Sequence, residues 1–299
     1  MQATQPAPLN QLAERAIIER AWGFNLRILD FGDLTKGGSA VAIRVGSRYM
    51  AATAAHVVKG RSKLAIVSKG GLESYIDEFL AVHHDERCDV AIIEVAPDCA
   101  RRLHTAFANA SEDVCIVPSA VETYAWIVGC PGDYIHRHPP RRLSQDSVLQ
   151  QLDVASLTIP TWTIPHREWP KRPIHPPLYP RVDILLDGVI EGPMSPLLPS
   201  NSGRAWESID VGPPRPAGLS GGGVWTHSGK SVKRIWHPRP QLIGIQTGVL
   251  PESQLFRAVS IGRWMDLVER SYPDAKAVVD RIRSRRWSDH TSVPVDGGT

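Results

Sequence analysis

Gly218-Leu219-Ser220-Gly221-Gly222-Gly223 sets one serine among four glycines, immediately ahead of the apolar pair Val224-Trp225. Glycine has no Cβ, so it takes the backbone angles a tight loop demands and lets another chain come close. In such a loop the N–H groups of Gly218 and Ser220 can converge on one oxygen, beside a serine open to attack chemistry. A glycine-rich turn between two strands is the plain alternative, and the rest of the chain has to decide between the two.

Around that loop the hydrophobic pattern is one of short strands. Ala40-Val41-Ala42-Ile43, a Gly46-Ser47 turn and Tyr49-Met50-Ala51-Ala52 predict a hairpin. Leu64-Ala65-Ile66-Val67 and Val90-Ala91-Ile92-Ile93-Glu94-Val95 predict further strands of one antiparallel unit. A second series starts at Val114-Cys115-Ile116-Val117 and continues through Ala125-Trp126-Ile127-Val128, Val182-Asp183-Ile184-Leu185-Leu186, Gly223-Val224-Trp225 and Leu242-Ile243-Gly244-Ile245-Gln246-Thr247. Between them, prolines crowd residues 136–180, which predicts an extended surface insertion around the strand candidate Ser156-Leu157-Thr158-Ile159. Helical periodicity is confined to the two ends: Leu9 to Trp22, Ile261 to Arg270 behind the cap candidate Ser260, and Ala275 to Arg285 after Pro273. The pattern is that of an all-β body with N- and C-terminal helices.

Composition narrows the function. A chain of 299 residues suits two modest domains or one two-lobed domain, and 42% apolar with 22% charged residues is ordinary for a soluble globular protein. A net charge of +3 is too small to argue for a nucleic-acid partner, and the local cluster Arg281, Arg283, Arg285 and Arg286 reads as a solvated helix end. Cys88, Cys99, Cys115 and Cys130 have no C-x-x-C spacing and read as free thiols. With no run of eighteen apolar residues and no basic-then-apolar N-terminal segment, the expectation is a cytoplasmic protein without a membrane partner.

Two more segments carry chemistry. Thr53-Ala54-Ala55-His56 ends a strand and brings out a histidine at its edge, where it would serve as a general base, although a packed or surface histidine is the commoner outcome. Cys88-Asp89-Val90-Ala91 puts a carboxylate at the mouth of a strand, where it would accept a hydrogen bond from imidazole or simply cap a turn. In order along the chain, T-A-A-H, D-V-A-I and G-L-S-G-G resemble the motifs of the chymotrypsin/trypsin-like serine peptidases, over roughly Gly37 to Trp264.

The resemblance implies two antiparallel six-stranded β-barrels with the site between them. Residues 1–29 would form an N-terminal helical extension, 30–110 the first barrel, and 111–262 the second barrel with its insertion at 136–180. Residues 263–299 would form a C-terminal helix and basic tail. It also implies His56 as general base, Asp89 as the carboxylate that orients it, Ser220 as nucleophile, and an oxyanion hole from the Gly218 and Ser220 N–H groups. Ile245-Gln246-Thr247-Gly248 resembles the family's substrate-pairing strand, with the Thr247 hydroxyl in a position to bond Asp89.

At the base of the primary specificity pocket, six residues before the nucleophile, stands Pro214, and Gly248 and Val249 fall on the opposite wall. With no carboxylate there, the expected preference is for small or medium apolar residues. Leu219 replaces the aspartate that pairs with a new N-terminus in many secreted members, so activation by that route is not expected.

The function implied is a serine endopeptidase acting on protein or peptide substrates, without cofactor or metal. The terminal helices and the insertion would suit a regulatory protein partner. The alternative is a peptidase-fold binding module, or a gated or inactive peptidase, that holds a partner. Two other motifs fail. Gly218-Leu219-Ser220-Gly221-Gly222 fits G-x-S-x-G, but the strand and helix alternation of an α/β-hydrolase is missing. Gly229-Lys230-Ser231 lacks the first glycine of a phosphate-binding loop, since Val224 stands there. The pairs His83-His84 and His136/His138 have no cysteine or carboxylate beside them at a metal-ligand spacing.

Overall fold

The computed structural model describes residues 18–33, 36–61, 63–68, 74–118, 120–130, 157–171, 174, 176–188, 218–232 and 235–285. Strands β1 (Asn25–Asp30), β2 (Gly37–Val45), β3 (Arg48–Thr53), β4 (Leu64–Val67), β5 (Tyr75–Ile76), β6 (Ala81–Asp85), β7 (Val90–Val95) and β8 (Ala108–Asn109) form one sheet. Its order is β5-β4-β1-β2-β3-β7-β6, with the two-residue β8 lying parallel on β2 and every other pairing antiparallel. The β2–β3 hairpin closes on Gly46-Ser47 as expected, with Gly46 at φ +61 and Val45 opposite Arg48.

The second sheet contains β9 (Tyr124–Gly129), β10 (Leu157–Trp162), β11 (Asp183–Asp187), β12 (Gly223–Val232), β13 (Ile235–Leu250) and β14 (Leu255–Ser260). They lie in the order β10-β9-β12-β13-β14-β11. The two end strands meet: Thr163 bridges to Leu186, Ile164 N–H donates to Leu185 O at 2.8 Å, and Thr161 Oγ1 donates to Asp187 O at 2.7 Å. The sheet therefore closes on itself. The body is all-β, built of two curled antiparallel sheets.

One reading changes. Val114-Cys115-Ile116-Val117 is not a strand. Val114 makes a single parallel bridge to Leu242, held by the Cys115 N–H donated to Leu242 O, and the next residues run on irregularly, because from Gly244 onward β13 is already paired on both edges, with β12 and with β14. The strand candidate Ser156-Leu157-Thr158-Ile159 overlaps β10 (Leu157–Trp162), which is paired residue by residue with β9 and buries Ile159. Residues 131–156 lie outside the described residues.

Strands of the first sheet are apolar on both faces because each face meets a different core. Ala40 and Ala42 of β2 pack inside that sheet with Leu26, Ile28, Ala51 and Ile93, while the alternate Val41, Ile43 and Val45 face outward. That outer face joins Trp126, Val128 and Trp225 of the second sheet, and residues of the terminal helices, in one shared core. From the N-terminal side, helix α1 (18–23) contributes Ile18 and Trp22, whose Nε1 donates to Thr158 Oγ1 at 2.6 Å.

Helix α5 (Ile261–Ser271) is capped by Ser260 as expected, and with α6 (Lys276–Arg283) it covers the other end of the shared core through Trp264, Met265, Val268 and Val279. No helix among the described residues is long and apolar enough to cross a membrane.

Candidate active site

His56 enters the cleft on α2 (Ala55–Val58), a single helical turn directly after β3. Buried Ala54 and Ala55 pack the turn closely and leave the His56 side chain 49% exposed. Asp89 closes the β6–β7 turn at φ +54, a left-handed conformation that aspartate tolerates better than most residues.

Its carboxylate has two tasks. Oδ1 accepts the His56 backbone N–H at 3.0 Å, one of the donors that a helix start leaves unpaired, and Oδ2 lies 2.8 Å from His56 Nδ1. The strand behind Asp89 is held from outside the sheet, since Trp264 Nε1 of α5 donates to Ala91 O at 2.9 Å. In the same turn, burial pushes the Asp85 carboxyl up, but hydrogen bonds from Arg270 and from the Cys88 and Arg87 N–H groups outweigh it and hold Asp85 below its ordinary value. Burial also pushes the Cys88 thiol up, which keeps it protonated and unreactive beside Asp89.

Ser220 sits in a loop whose backbone is pinned from three directions. Gly218 and Gly221 take φ +90 and +91, and a Cβ on Gly221 would fall well inside contact distance of Ser39 O and Thr53 Oγ1. Ser39 N–H donates to Ser220 O at 2.8 Å, and Ser39 Oγ donates to Gly218 O at 2.8 Å while accepting the Cys130 N–H at 2.7 Å. Thr53 Oγ1 donates to Ser39 O at 2.7 Å. From the second sheet, Gly221 N–H donates to Gln246 O at 2.7 Å and Gln246 N–H donates to Gly222 O at 2.8 Å. Among the described residues the N–H groups of Gly218 and Ser220 donate no hydrogen bond.

Gly38 brings the two halves together. A Cβ there would lie 2.6 Å from Ser220 O and 2.7 Å from Val57 Cγ2, so the Ser220 loop and the helix of His56 both close on the same glycine. The structure thus gathers His56, Asp89, Gly218 and Ser220 in one place. Among the described residues Ser220 Oγ makes no hydrogen bond to His56. Catalytic hydrogen bonds are often long until substrate is bound.

The segment expected to pair with substrate lies in β13. Thr247 forms a bulge in β13, between Gln246 opposite Ala258 and Gly248 opposite Arg257. Its hydroxyl makes no bond to Asp89 among the described residues, because the bulge takes it out of the regular alternation. Gly248 borders open space, where an added methyl group would meet no other atom within 4 Å, and Val249 rests partly buried against the inner core opposite Phe256. Pro214 lies outside the described residues.

Ser39 and Gly38 escaped the sequence reading. They precede the strand run that carried the signal, and nothing local ties Ser39 to a loop 179 residues away. Arg27 escaped it too. It sits opposite Ser39 in register and is buried, which pulls its guanidinium below the usual range.

No protein-family model matches the chain and no curated protein matches it. Among solved structures it is similar to the Rv3671c protease from M. tuberculosis in its inactive form, at 14% identity over 90% of this chain and 98% of that one, with a TM-score of 0.47. The active form of the same protease gives 14% identity, 90% and 92% coverage and a TM-score of 0.47. The serine endoprotease from Yersinia pestis gives 11% identity, 94% and 69% coverage and a TM-score of 0.45.

Proposed function

We propose that the protein is a serine endopeptidase that hydrolyses peptide bonds through Ser220, His56 and Asp89. The observation that carries this reading is the double grip of Asp89 on His56, at both the ring Nδ1 and the backbone N–H. With Nδ1–H held by the carboxylate, Nε2 is the nitrogen left to accept the Ser220 proton and later to return it to the leaving amine. Ser220 Oγ attacks the carbonyl carbon, the C–N bond breaks from the tetrahedral intermediate, and water repeats the sequence on the acyl-enzyme. The undonated Gly218 and Ser220 N–H groups would each stabilise the oxyanion by about 3 kcal/mol. Open space at Gly248 beside Val249 supports cleavage after small or medium apolar residues. A peptide library varied at that position tests this preference, and selection of arginine or lysine overturns it.

The absence of a Ser220–His56 bond among the described residues favours a second reading, a peptidase fold that holds a partner without cleaving it. One experiment separates the two. A fluorophosphonate probe is expected to label Ser220 of the wild type and neither Ser220→Ala nor His56→Ala. An unlabelled wild type, or labelling that persists in His56→Ala, sinks the peptidase reading.

A further inference from the structure

His56 follows one end of β3, and the other end of the same strand borders a cavity. Tyr49 stands at that other end, four residues before Thr53 and so about 14 Å away along the strand at ~3.4 Å per residue. The cavity there has a volume of about 340 Å³ and is lined by Arg44, Tyr49, Ala100, Arg101, Thr105 and Phe107. It forms the mouth of the first curled sheet. Arg44 alternates in phase with Ala40 and Ala42, which pack inside that sheet, and it stands opposite Tyr49 in the β2–β3 register.

Groups outside the cavity fix its walls. Phe107 runs directly into β8, whose Ala108 and Asn109 pair with Ile43 and Arg44 of β2. Thr105 Oγ1 donates to Gly23 O at 2.6 Å, and the Ala106 N–H donates to the same oxygen at 3.2 Å. Helix α3 (Pro97–Arg102) supplies Ala100 and Arg101. The Tyr49 and Phe107 rings meet edge to face, centroids 5.0 Å apart at 83°, where they pack against the inner core of the sheet. None of the six lining residues is acidic. Arg101 is paired with Asp98 of its own helix. By contrast, the exposed Arg44 guanidinium and the Tyr49 hydroxyl have no hydrogen-bond or ionic partner among the described residues.

We propose that this cavity binds a small aromatic carboxylate, with its ring against Tyr49 and Phe107 and its carboxylate on Arg44. An edge-to-face aromatic pair presents both ring edge and ring face, and a third ring can pack on either. A guanidinium presents a planar fork of N–H donors that matches the two oxygens of one carboxylate. Charge then narrows the ligand further. Two arginines in the lining repel a cation, and with Arg101 held by Asp98 the one lining cation left unpaired matches a monoanion rather than a phosphate dianion. The volume falls at the lower end of the ~300–1,000 Å³ usual for ligand cavities, which suits one ring system with a short acidic arm. Barrel mouths are among the places where such ligands bind.

The test follows the fluorine NMR signal of 4-fluorophenylacetate during titration with the full chain. Saturable broadening with a Kd of about 1 mM or below is expected. The neutral 4-fluorophenylacetamide, nearly the same in shape, should bind at least about tenfold more weakly. Arg44→Gln should weaken binding of the acid at least about tenfold and leave that of the amide unchanged, which ties the charge preference to this one side chain. Phe107→Leu should weaken acid and amide alike, by about threefold. Thermal unfolding equal to that of the wild type shows that Arg44→Gln is folded, and the comparison of acid with amide needs no variant at all. The proposal is overturned if the acid shows no saturable binding up to about 5 mM. It is equally overturned if the amide binds as tightly as the acid, or if Arg44→Gln binds the acid as the wild type does. Displacement of the acid by inorganic phosphate as readily as by unlabelled phenylacetate would also overturn it, because the aromatic floor would then contribute nothing.

Discussion

The two halves of the site are held in opposite ways. His56 and Asp89 come from one sheet and meet through side chains that are 49% and 33% exposed. Ser220 is positioned through its backbone, by Ser39, Thr53 and Gln246, which are all buried, so that its loop is fixed by groups remote from solvent. On the proposed peptidase reading, the difference separates two requirements of acyl transfer. The oxyanion donors must be rigid before substrate arrives, because reorienting them during the reaction would cost the energy they supply. The base has to move a proton and tolerates an imidazole that settles only when substrate is bound.

If that division is real, mutations in the two halves should dissociate function from stability. The largest functional effect belongs to Asp89→Asn. Asparagine accepts the same left-handed backbone, and the pair it replaces is partly exposed, so the fold should lose less than about 1 kcal/mol. An amide can hold the wrong imidazole tautomer, and kcat should fall by about 10⁴. Peptide hydrolysis and denaturant unfolding of the same preparation check both halves. A variant that is active but unstable reverses the assignment.

Ser39→Ala should do the converse. It strands Gly218 O and the Cys130 N–H in a buried position, at a cost of about 2–4 kcal/mol, while the Ser39 N–H bond to Ser220 O survives. Tm should drop by roughly 5–10 °C. The labelling rate at Ser220 should fall only about tenfold to a hundredfold. Calorimetry beside probe kinetics reads both numbers, and a Tm equal to that of the wild type would mean that the clamp contributes nothing.

The same contrast explains what the sequence made legible. The Ser220 loop could be read because a conformation that favours glycine leaves glycines behind, as at Gly218 and Gly221. His56 and Asp89 could be read because each stands at the end of an apolar strand run. Ser39 could not, since its bonds to Gly218 and Cys130 join distant parts of the chain and any small polar residue looks alike from sequence. The pairing of β12 with β13 beyond Trp225 and Leu242 was not read either, since Pro238 and Pro240 interrupt the apolar pattern that marked the neighbouring strands. The apolar run at Val114 misled in the opposite sense, because burial without a partner ladder does not make a strand.

The smallest expected effect concerns pH and tests whether the second sheet has a titrating weak point. His227 lies on β12, its ring 5.9 Å from that of Trp126, and burial lowers its pKa. The native state therefore prefers neutral imidazole. As pH falls through the ordinary histidine value of about 6.5, the unfolded chain takes up a proton before the folded one does, and stability declines until the depressed native pKa is reached. Above that window the contribution is fully present. His227→Gln has no proton to bind in either state, so its denaturation midpoint should vary less between about pH 7.5 and about 5.5 than that of the wild type. Equal pH slopes in the two proteins would show that His227 stays accessible to protons in the folded state.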